Sequence, residues 1–196
     1  MIGKIEVFTG PMCSGKSAAL INKIKRFEIA GKNVILIKPK KDTRDGNTVK
    51  SRDGSSYQNE DNTYLISSLK EINECLAKED KAPDLIAIDE FHFFEDDYTE
   101  FIKLLLFLSY TRIHVAIAGL DMSHNGRPFE LLGKVMCIAD KVHKFTAICS
   151  NEKEDNATMT IMNEATDDDR VVGGDDVYRP ASRKTWFEHH IITNEI

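Results

Sequence analysis

The segment that decides the fold is Gly10-Pro-Met-Cys-Ser-Gly15-Lys16-Ser17, which fits the pattern G-x-x-x-x-G-K-[ST]. It lies between an apolar, strand-like run at 4–8 and a predicted helix at 16–30. Glycines let such a loop turn its backbone N–H groups toward phosphate oxygens, and the helix that follows adds the positive end of its dipole. The pattern therefore predicts a P-loop, with Lys16 reaching the β- and γ-phosphates and Ser17 on Mg²⁺.

Outward from the P-loop, apolar runs of strand length alternate with segments of helical periodicity. The further predicted strands are 33–38, 84–89 and 113–118, and the further predicted helices are 68–79 and 97–109. This alternation is typical of an α/β fold with a mainly parallel sheet. We predict a P-loop NTPase domain of the RecA-like class over residues 1–145, interrupted by a long polar loop at 40–62.

The pattern changes after about residue 144. Residues 144–150 and 157–162 predict short strands, 164–176 are acidic and include Gly173-Gly174, and 179–190 predict a short helix. We assign residues 146–196 to a small second domain that acts as a lid.

Composition narrows the possible partners. The 196 residues include 26 basic and 32 acidic side chains, a formal net charge of −6, which argues against nucleic acid as a partner. No apolar run approaches the roughly 18 residues of a membrane span, and the first residues do not match a signal peptide. The four cysteines form no Cys-x-x-Cys pair, which argues against a disulfide framework. We expect a cytoplasmic chain with no membrane partner.

Two adjacent acids follow the predicted strand at 84–89. Asp89 closes the apolar run as a Mg²⁺ ligand does in P-loop enzymes, and Glu90 can take the proton from an attacking hydroxyl. An alternative is that the pair only caps a strand end, although the P-loop upstream argues against this. Arg44 in the polar loop either stabilises a phosphoryl group in transfer or is an ordinary loop arginine, and its spacing does not decide between these.

Five blocks of sequence resemble the type II, cellular-type thymidine kinases, and their order and spacing cover nearly the whole chain. The blocks are Gly10 to Ser17, Lys38-Pro-Lys-Lys-Asp-Thr-Arg44, Ile88-Asp-Glu-Phe-His-Phe-Phe94, Gly119-Leu-Asp-Met-Ser-His-Asn-Gly-Arg-Pro-Phe129 and Val172-Gly-Gly-Asp-Asp-Val-Tyr178. The resemblance implies ATP as the phosphate donor, thymidine or a related deoxynucleoside as the acceptor, and a homotetramer.

The same resemblance implies roles for individual residues. Glu90 is the general base for the 5′-hydroxyl, Lys16 and Arg44 are catalytic cations, and Asp89 joins Ser17 on Mg²⁺. The implied ATP and phosphate site comprises Gly10, Pro11, Met12, Cys13, Ser14, Gly15, Lys16, Ser17 and Asp42. The implied nucleoside site comprises Met12, Phe93, Leu120, His124, Phe129, Val171, Val172, Gly173, Gly174 and Tyr178.

The chain departs from the family pattern where that family holds a structural zinc with two Cys-x-x-Cys pairs. The corresponding segments read Cys149-Ser-Asn-Glu152 and Ser182-Arg-Lys-Thr185, so we expect no structural zinc. His124 replaces an aromatic residue beside the base, and His92 stands where glutamine is more usual. These two changes are either tolerated or alter the base preference.

Two rival functions stay open at this point. One is another P-loop enzyme, either an ATPase or a nucleoside kinase with a different base preference. The other is a catalytically weakened relative that binds nucleotide, although Lys16, Asp89 and Glu90 are all retained. Taken singly, each apolar pocket residue could also be ordinary core.

Overall fold

A computed structural model describes residues 2–154, 156–164 and 166–192. The strands are β1 (Ile5–Thr9), β2 (Val34–Pro39), β3 (Thr48–Lys50), β4 (Ser56–Gln58), β5 (Thr63–Ile66), β6 (Leu85–Ile88), β7 (His114–Gly119), β8 (Lys141–Lys144), β9 (Met159–Met162) and β10 (Tyr178–Ala181). The helices are α1 (Lys16–Ile29), α2 (Ile72–Leu76), α3 (Tyr98–Tyr110), α4 (Glu130–Ile138) and α5 (Arg183–Ile192), with 3₁₀ turns at Leu69–Glu71 and Phe91–Phe93. Among these described residues, no helix is both long and apolar enough to cross a bilayer.

The central sheet has six strands in the order β5-β2-β6-β7-β1-β8, and each neighbouring pair is parallel. Its inner strands are mostly apolar, and β6 (Leu85–Ile88) is entirely so, because both faces of the sheet are covered. Leu20, Ile21 and Ile24 of α1 pack on one face, while α2, α3 and α4 cover the other. The carboxyl ends of β1, β2, β6 and β7 therefore meet at one edge, where ligands bind in open α/β sheets.

The predicted α/β class, with its mainly parallel sheet, is confirmed. Sequence reasoning missed α4, β5, β8 and β10, and it placed a strand over 144–150 where the structure has only an isolated bridge between Ala147 and Ala157. The helix predicted over 179–190 is α5, which begins only at Arg183 because β10 occupies Tyr178–Ala181. The helix predicted over 68–79 is a 3₁₀ turn followed by the short α2. Gly133 weakens the helical signal of α4, and β5 has only four residues.

The predicted loop at 40–62 contains the antiparallel hairpin β3–β4. Val49 and Tyr57 are buried against α1, and the Tyr57 hydroxyl donates to Glu28 at 2.8 Å. Beneath the hairpin, the buried Lys38 ammonium donates to the carbonyls of Gly46 at 2.9 Å and Thr48 at 2.6 Å. A short polar segment thus becomes ordered through tertiary contacts that its own sequence does not reveal.

The segment beyond β8 contains a further two-stranded sheet in which β10 is antiparallel to β9, and α5 packs against it. The four positions that correspond to the zinc ligands of the family pattern are Cys149, Glu152, Ser182 and Thr185, and they lie together. Cys149 Sγ accepts from the Ser182 amide at 3.3 Å and lies 3.6 Å from Thr185 Oγ1. Ser182 Oγ donates to Thr185 Oγ1 at 3.3 Å. One thiol, one carboxylate and two hydroxyls that bond one another are a poor donor set for Zn²⁺, which prefers sulfur and imidazole in closed sites.

Amide hydrogen bonds also alter the acidity of this thiol. Burial disfavours a thiolate, but the backbone N–H groups of Glu152 and Ser182 lower the pKa of Cys149 to about 7. The carboxylate of Glu152 accepts from Asn156 at 2.9 Å, and this bond lowers its pKa, with further contributions from the nearby hydroxyls of Ser182 and Thr185. Hydrogen bonds therefore connect the segments that zinc would otherwise join.

We predict that treatment with a metal chelator leaves the melting temperature unchanged, whereas Thr185→Val lowers it by about 2–4 °C. That substitution removes a hydrogen-bonding hydroxyl from the buried cluster, a loss of about 1 kcal/mol. Differential scanning calorimetry measures both effects, with Thr99→Val on the exposed start of α3 as the matched control. A clear drop in melting temperature after chelation would show that a metal stabilises this segment.

Candidate active site

The P-loop follows β1 and bends where two glycines adopt conformations that other residues avoid. Gly10 has a φ of 139°, and a Cβ at this position would lie 2.4 Å from the Phe145 carbonyl. Gly15, with a φ of 83°, caps α1 without a side-chain hydrogen bond. The amides at the start of α1 therefore remain available for an anion, as phosphate-binding loops require.

Lys16 bends back over its own loop, where its ammonium donates to the Pro11 carbonyl at 2.5 Å and to Ser14 Oγ at 3.3 Å. Burial lowers the pKa of Lys16, although the carboxylates of Glu90 and Asp121 favour its charged form. These contacts keep the ammonium beside the loop that the sequence predicts to bind phosphate.

The backbone of the P-loop is also held from outside the central sheet. The Met12 amide donates to Thr160 Oγ1 on β9 at 3.1 Å. Cys13 has a left-handed φ of 63°, which few residues other than glycine adopt and which the surrounding bonds must stabilise.

Asp89 and Glu90 follow β6 at the carboxyl edge of the sheet, and their side chains have different surroundings. Glu90 has a φ of 48°, which turns the chain sharply into the Phe91–Phe93 3₁₀ turn. Burial, and then the neighbouring charge of Glu90, raise the pKa of Asp89 above its ordinary value. A buried carboxylate with this excess of negative charge around it suits a divalent cation, and oxygen ligands are those that Mg²⁺ prefers.

Arg44 links the segment after β2 to Glu90 and to the loop at 171–177, which contains Gly173 and Gly174 and is here called the glycine-rich loop. Its Nε donates to Asp42 at 2.7 Å, its Nη2 donates to Glu90 at 2.5 Å, and its Nη1 donates to the Gly173 carbonyl at 3.1 Å. Burial opposes its charge, but Glu90 and Asp42 outweigh burial and raise the pKa of Arg44. Sequence spacing alone did not distinguish a site arginine from an ordinary loop arginine at position 44. In the structure, Arg44 lies against Glu90.

The same cations determine the charge of Glu90. Burial raises its pKa, but nearby positive charge more than offsets this and lowers the pKa below the ordinary value. His92 contributes little of that charge at neutral pH, because burial lowers its own pKa to about 4. Arg44 and Lys16 are the cations that persist, so Glu90 carries a negative charge at neutral pH.

Two cavities meet at Arg44 and Glu90. The larger, of about 380 Å³, extends over the P-loop and includes Asp42 and Asp89 in its lining. The smaller has a volume of about 20 Å³, which is room for one water molecule. We name them the donor cavity and the acceptor pocket. A nucleoside can enter the acceptor pocket only if part of its lining moves.

Most of the residues predicted to bind nucleoside line the acceptor pocket. They are Met12, Phe93, Leu120, His124, Val171, Gly173 and Tyr178. The others lie elsewhere: Gly174 lines the donor cavity, Val172 lines neither cavity, and Phe129 lies behind the pocket. The Phe129 ring contacts the His92 ring with centroids 5.1 Å apart, and the Arg170 guanidinium carbon lies over the Phe129 ring, 5.2 Å from its centroid.

Several side chains of the pocket were not assigned by sequence reasoning. They are His92, Ser123, Thr160, Asp169 and Arg170. Arg170 Nε donates to the His92 carbonyl at 2.8 Å and its Nη1 contacts Glu95 at 2.8 Å, which fixes the chain just before Val171. No local pattern marks Arg170 or Thr160, whereas His92 was noticed only as a departure from a family pattern.

His124 has one ring nitrogen in use and one without a partner among the described residues. Its Nε2 lies 3.0 Å from the Thr166 carbonyl, which requires a proton on Nε2 and leaves Nδ1 as an acceptor. Nδ1 is buried without a hydrogen bond. The Trp186 indole fixes the residue by donating to the His124 carbonyl at 2.7 Å, and Tyr178 donates to the Val171 carbonyl at 2.9 Å. The pocket therefore contains an unused acceptor beside an aromatic ring.

We predict that stability falls between pH 6.5 and pH 4 because of His92. Its pKa is about 4 in the folded chain against an ordinary 6.5, so below pH 6.5 the unfolded chain binds a proton that the folded chain does not. The free energy of unfolding should fall by about 3 kcal/mol over this range. Urea titrations at several pH values should give a shallower decline for His92→Gln, and an equal decline would refute this role.

Comparison with known proteins agrees with this geometry. The family model described as "Thymidine kinase" matches residues 3–186. The thymidine kinase of Mycoplasma genitalium is 38% identical over 174 residues, covering 88% of this chain and 78% of that protein. The thymidine kinases of Mycoplasma mobile and Ureaplasma urealyticum serovar 10 are 36% and 34% identical, covering 95% and 98% of this chain and 88% and 85% of theirs. The chain therefore belongs to the thymidine kinase family.

Proposed function

We propose that this chain transfers the γ-phosphate of ATP to the 5′-hydroxyl of thymidine or a closely related deoxynucleoside. One observation carries the proposal: Arg44 and Glu90 line both the donor cavity and the acceptor pocket. A base and a cation at such a junction are positioned for a hydroxyl on one side and a phosphoryl group on the other.

In the donor cavity, the amides at the start of α1 and the Lys16 ammonium bind the phosphates. Ser17 and Asp89 would hold Mg²⁺, which neutralises phosphate charge during transfer. Asp42 lines the cavity but acts through Arg44, because its carboxylate accepts from Arg44 Nε at 2.7 Å.

Transfer proceeds by a single in-line displacement. Glu90 accepts the proton of the 5′-hydroxyl, the sugar oxygen forms its bond to the γ-phosphorus, and the bond from that phosphorus to the β-bridging oxygen breaks to release ADP. Arg44 donates to Glu90 at 2.5 Å before substrates bind. That bond goes to Oε1, so Oε2 of Glu90 can receive the proton. We expect Arg44 to turn toward the γ-phosphoryl group during transfer, where its charge stabilises the transition state.

We further propose that residues 1–145 bind the donor and that residues 146–196 form a lid over the acceptor. Backbone groups at 171–174 bond the base, and the Nδ1 of His124 is available to a base N–H. The small volume of the acceptor pocket, about 20 Å³, supports this arrangement, since exclusion of water prevents hydrolysis of ATP. We place the protein in the cytoplasm, where its four cysteines would remain reduced.

We predict that Glu90→Gln retains ATP binding and lowers kcat by about 10²- to 10⁴-fold, because the amide cannot accept the hydroxyl proton. Turnover is measured with Mg-ATP and thymidine, deoxyuridine, deoxycytidine or deoxyguanosine. Glu100→Gln, on the exposed first turn of α3, is the matched control and should retain full activity.

The same assay tests the rival functions. Near-normal turnover by Glu90→Gln would remove Glu90 as the base. Faster turnover with a purine nucleoside or deoxycytidine would identify another nucleoside kinase. Tight nucleoside binding without turnover by the wild-type chain would identify a non-catalytic relative, and phosphate release without nucleoside would identify an ATPase.

We also propose that the chain forms a homotetramer. Leu106, Phe107 and Tyr110 of α3 are 51%, 61% and 79% exposed, an apolar surface that a second copy could cover. Light scattering after size exclusion should give the mass of four chains, and Phe107→Glu should give a smaller species. The matched control Ile29→Glu, at an exposed position on α1, should retain the tetramer. A wild-type monomer would contradict the proposal.

A further inference from the structure

Arg52 lies in the turn of the β3–β4 hairpin and forms a two-pronged ion pair with Asp175 in the glycine-rich loop. Its Nε donates to Asp175 Oδ2 at 2.9 Å, and its Nη2 donates to Asp175 Oδ1. Both residues line the donor cavity together with Lys16 and Ser17. The pair thus joins two distant segments across the opening of the phosphate site.

This ion pair contributes little to the fold. The side chains of Arg52 and Asp175 are 41% and 68% exposed, and ion pairs at such positions contribute at most about 1 kcal/mol. The hairpin is held independently by the burial of Val49 and Tyr57 and by the bonds from Lys38. The position of the Arg52 guanidinium therefore calls for an explanation other than stability.

The other basic side chains of the donor cavity have firmer partners. Arg44 is held by Asp42 and Glu90, whose side chains are only 3% and 18% exposed, and Lys50 is paired with Asp45 at 2.7 Å. Of the carboxylates that pair with cations of the donor cavity in the described part of the chain, Asp175, the partner of Arg52, is the most exposed to solvent. Asp175 is consequently the one that a competing anion displaces most readily.

A guanidinium can donate two parallel hydrogen bonds to a phosphate as well as to a carboxylate, because each anion presents two oxygens at a suitable spacing. We propose that Arg52 binds the triphosphate of the nucleotide donor, and that Asp175 occupies its guanidinium until the nucleotide displaces it. The inference rests on the donor site of the proposed function and adds to it a phosphate-binding residue and a competing carboxylate from the same chain.

Binding of Mg²⁺ with a non-hydrolysable ATP analogue, measured by calorimetry, tests the proposal through a double-mutant cycle. Asp175→Asn should tighten binding by about two- to fivefold, because the competing charge is gone. Arg52→Ala should weaken binding by about tenfold. In the Arg52→Ala background, Asp175→Asn should have no further effect, since the competition requires Arg52.

Asp53→Asn provides the matched control, because it removes one negative charge from the same cavity. The Asp53 carboxylate accepts from the Ser55 amide at 2.9 Å and not from Arg52. Equal tightening by Asp53→Asn, or tightening by Asp175→Asn that persists without Arg52, would overturn the proposal. Unchanged binding in both single variants would overturn it as well. The measurement uses no nucleoside. If the wild-type chain binds the ATP analogue but the variants do not show these affinity changes, only the role of Arg52 is refuted. If the wild-type chain does not bind the analogue, the proposed function is refuted.

Discussion

The arrangement of the site depends on the buried ion pair between Lys38 and Asp42. The Lys38 side chain lies near the end of β2, 2% exposed, and its Nζ is 3.7 Å from the equally buried carboxylate of Asp42. A charge removed from water must be paired and hydrogen-bonded, and Lys38 meets this condition with two carbonyls and Asp42. Asp42 in turn orients Arg44, so the buried charge determines where the guanidinium lies.

From Arg44 the same series of contacts reaches both substrate sites. Its bonds to Glu90 and to the Gly173 carbonyl join the end of β6 to the glycine-rich loop. The donor cavity of about 380 Å³ is already formed, whereas the acceptor pocket of about 20 Å³ is closed. Because the donor cavity is open and the acceptor pocket is closed, we expect nucleoside binding to require the larger movement of the chain.

The sequence predicts well where the signal is local. The unit of β1, P-loop and α1 follows from one motif and two periodicities, and the acids after β6 follow from the end of an apolar run. It predicts poorly where contacts are distant. The β3–β4 hairpin is ordered by Lys38, and Phe129 was placed in the pocket although it lies one layer behind His92. The place of Arg44 depends on Asp42 and Glu90 together, which no spacing along the chain specifies.

The bond between the Met12 amide and Thr160 has a consequence for how the molecule is made. The phosphate loop leaves the ribosome early, but its hydrogen-bond partner on β9 is synthesised almost 150 residues later. During translation the nascent N-terminal region can form its sheet while the Met12 amide still bonds water. The loop therefore acquires this contact only after β9 has emerged, so folding of the C-terminal segment completes the hydrogen bonding of the loop backbone.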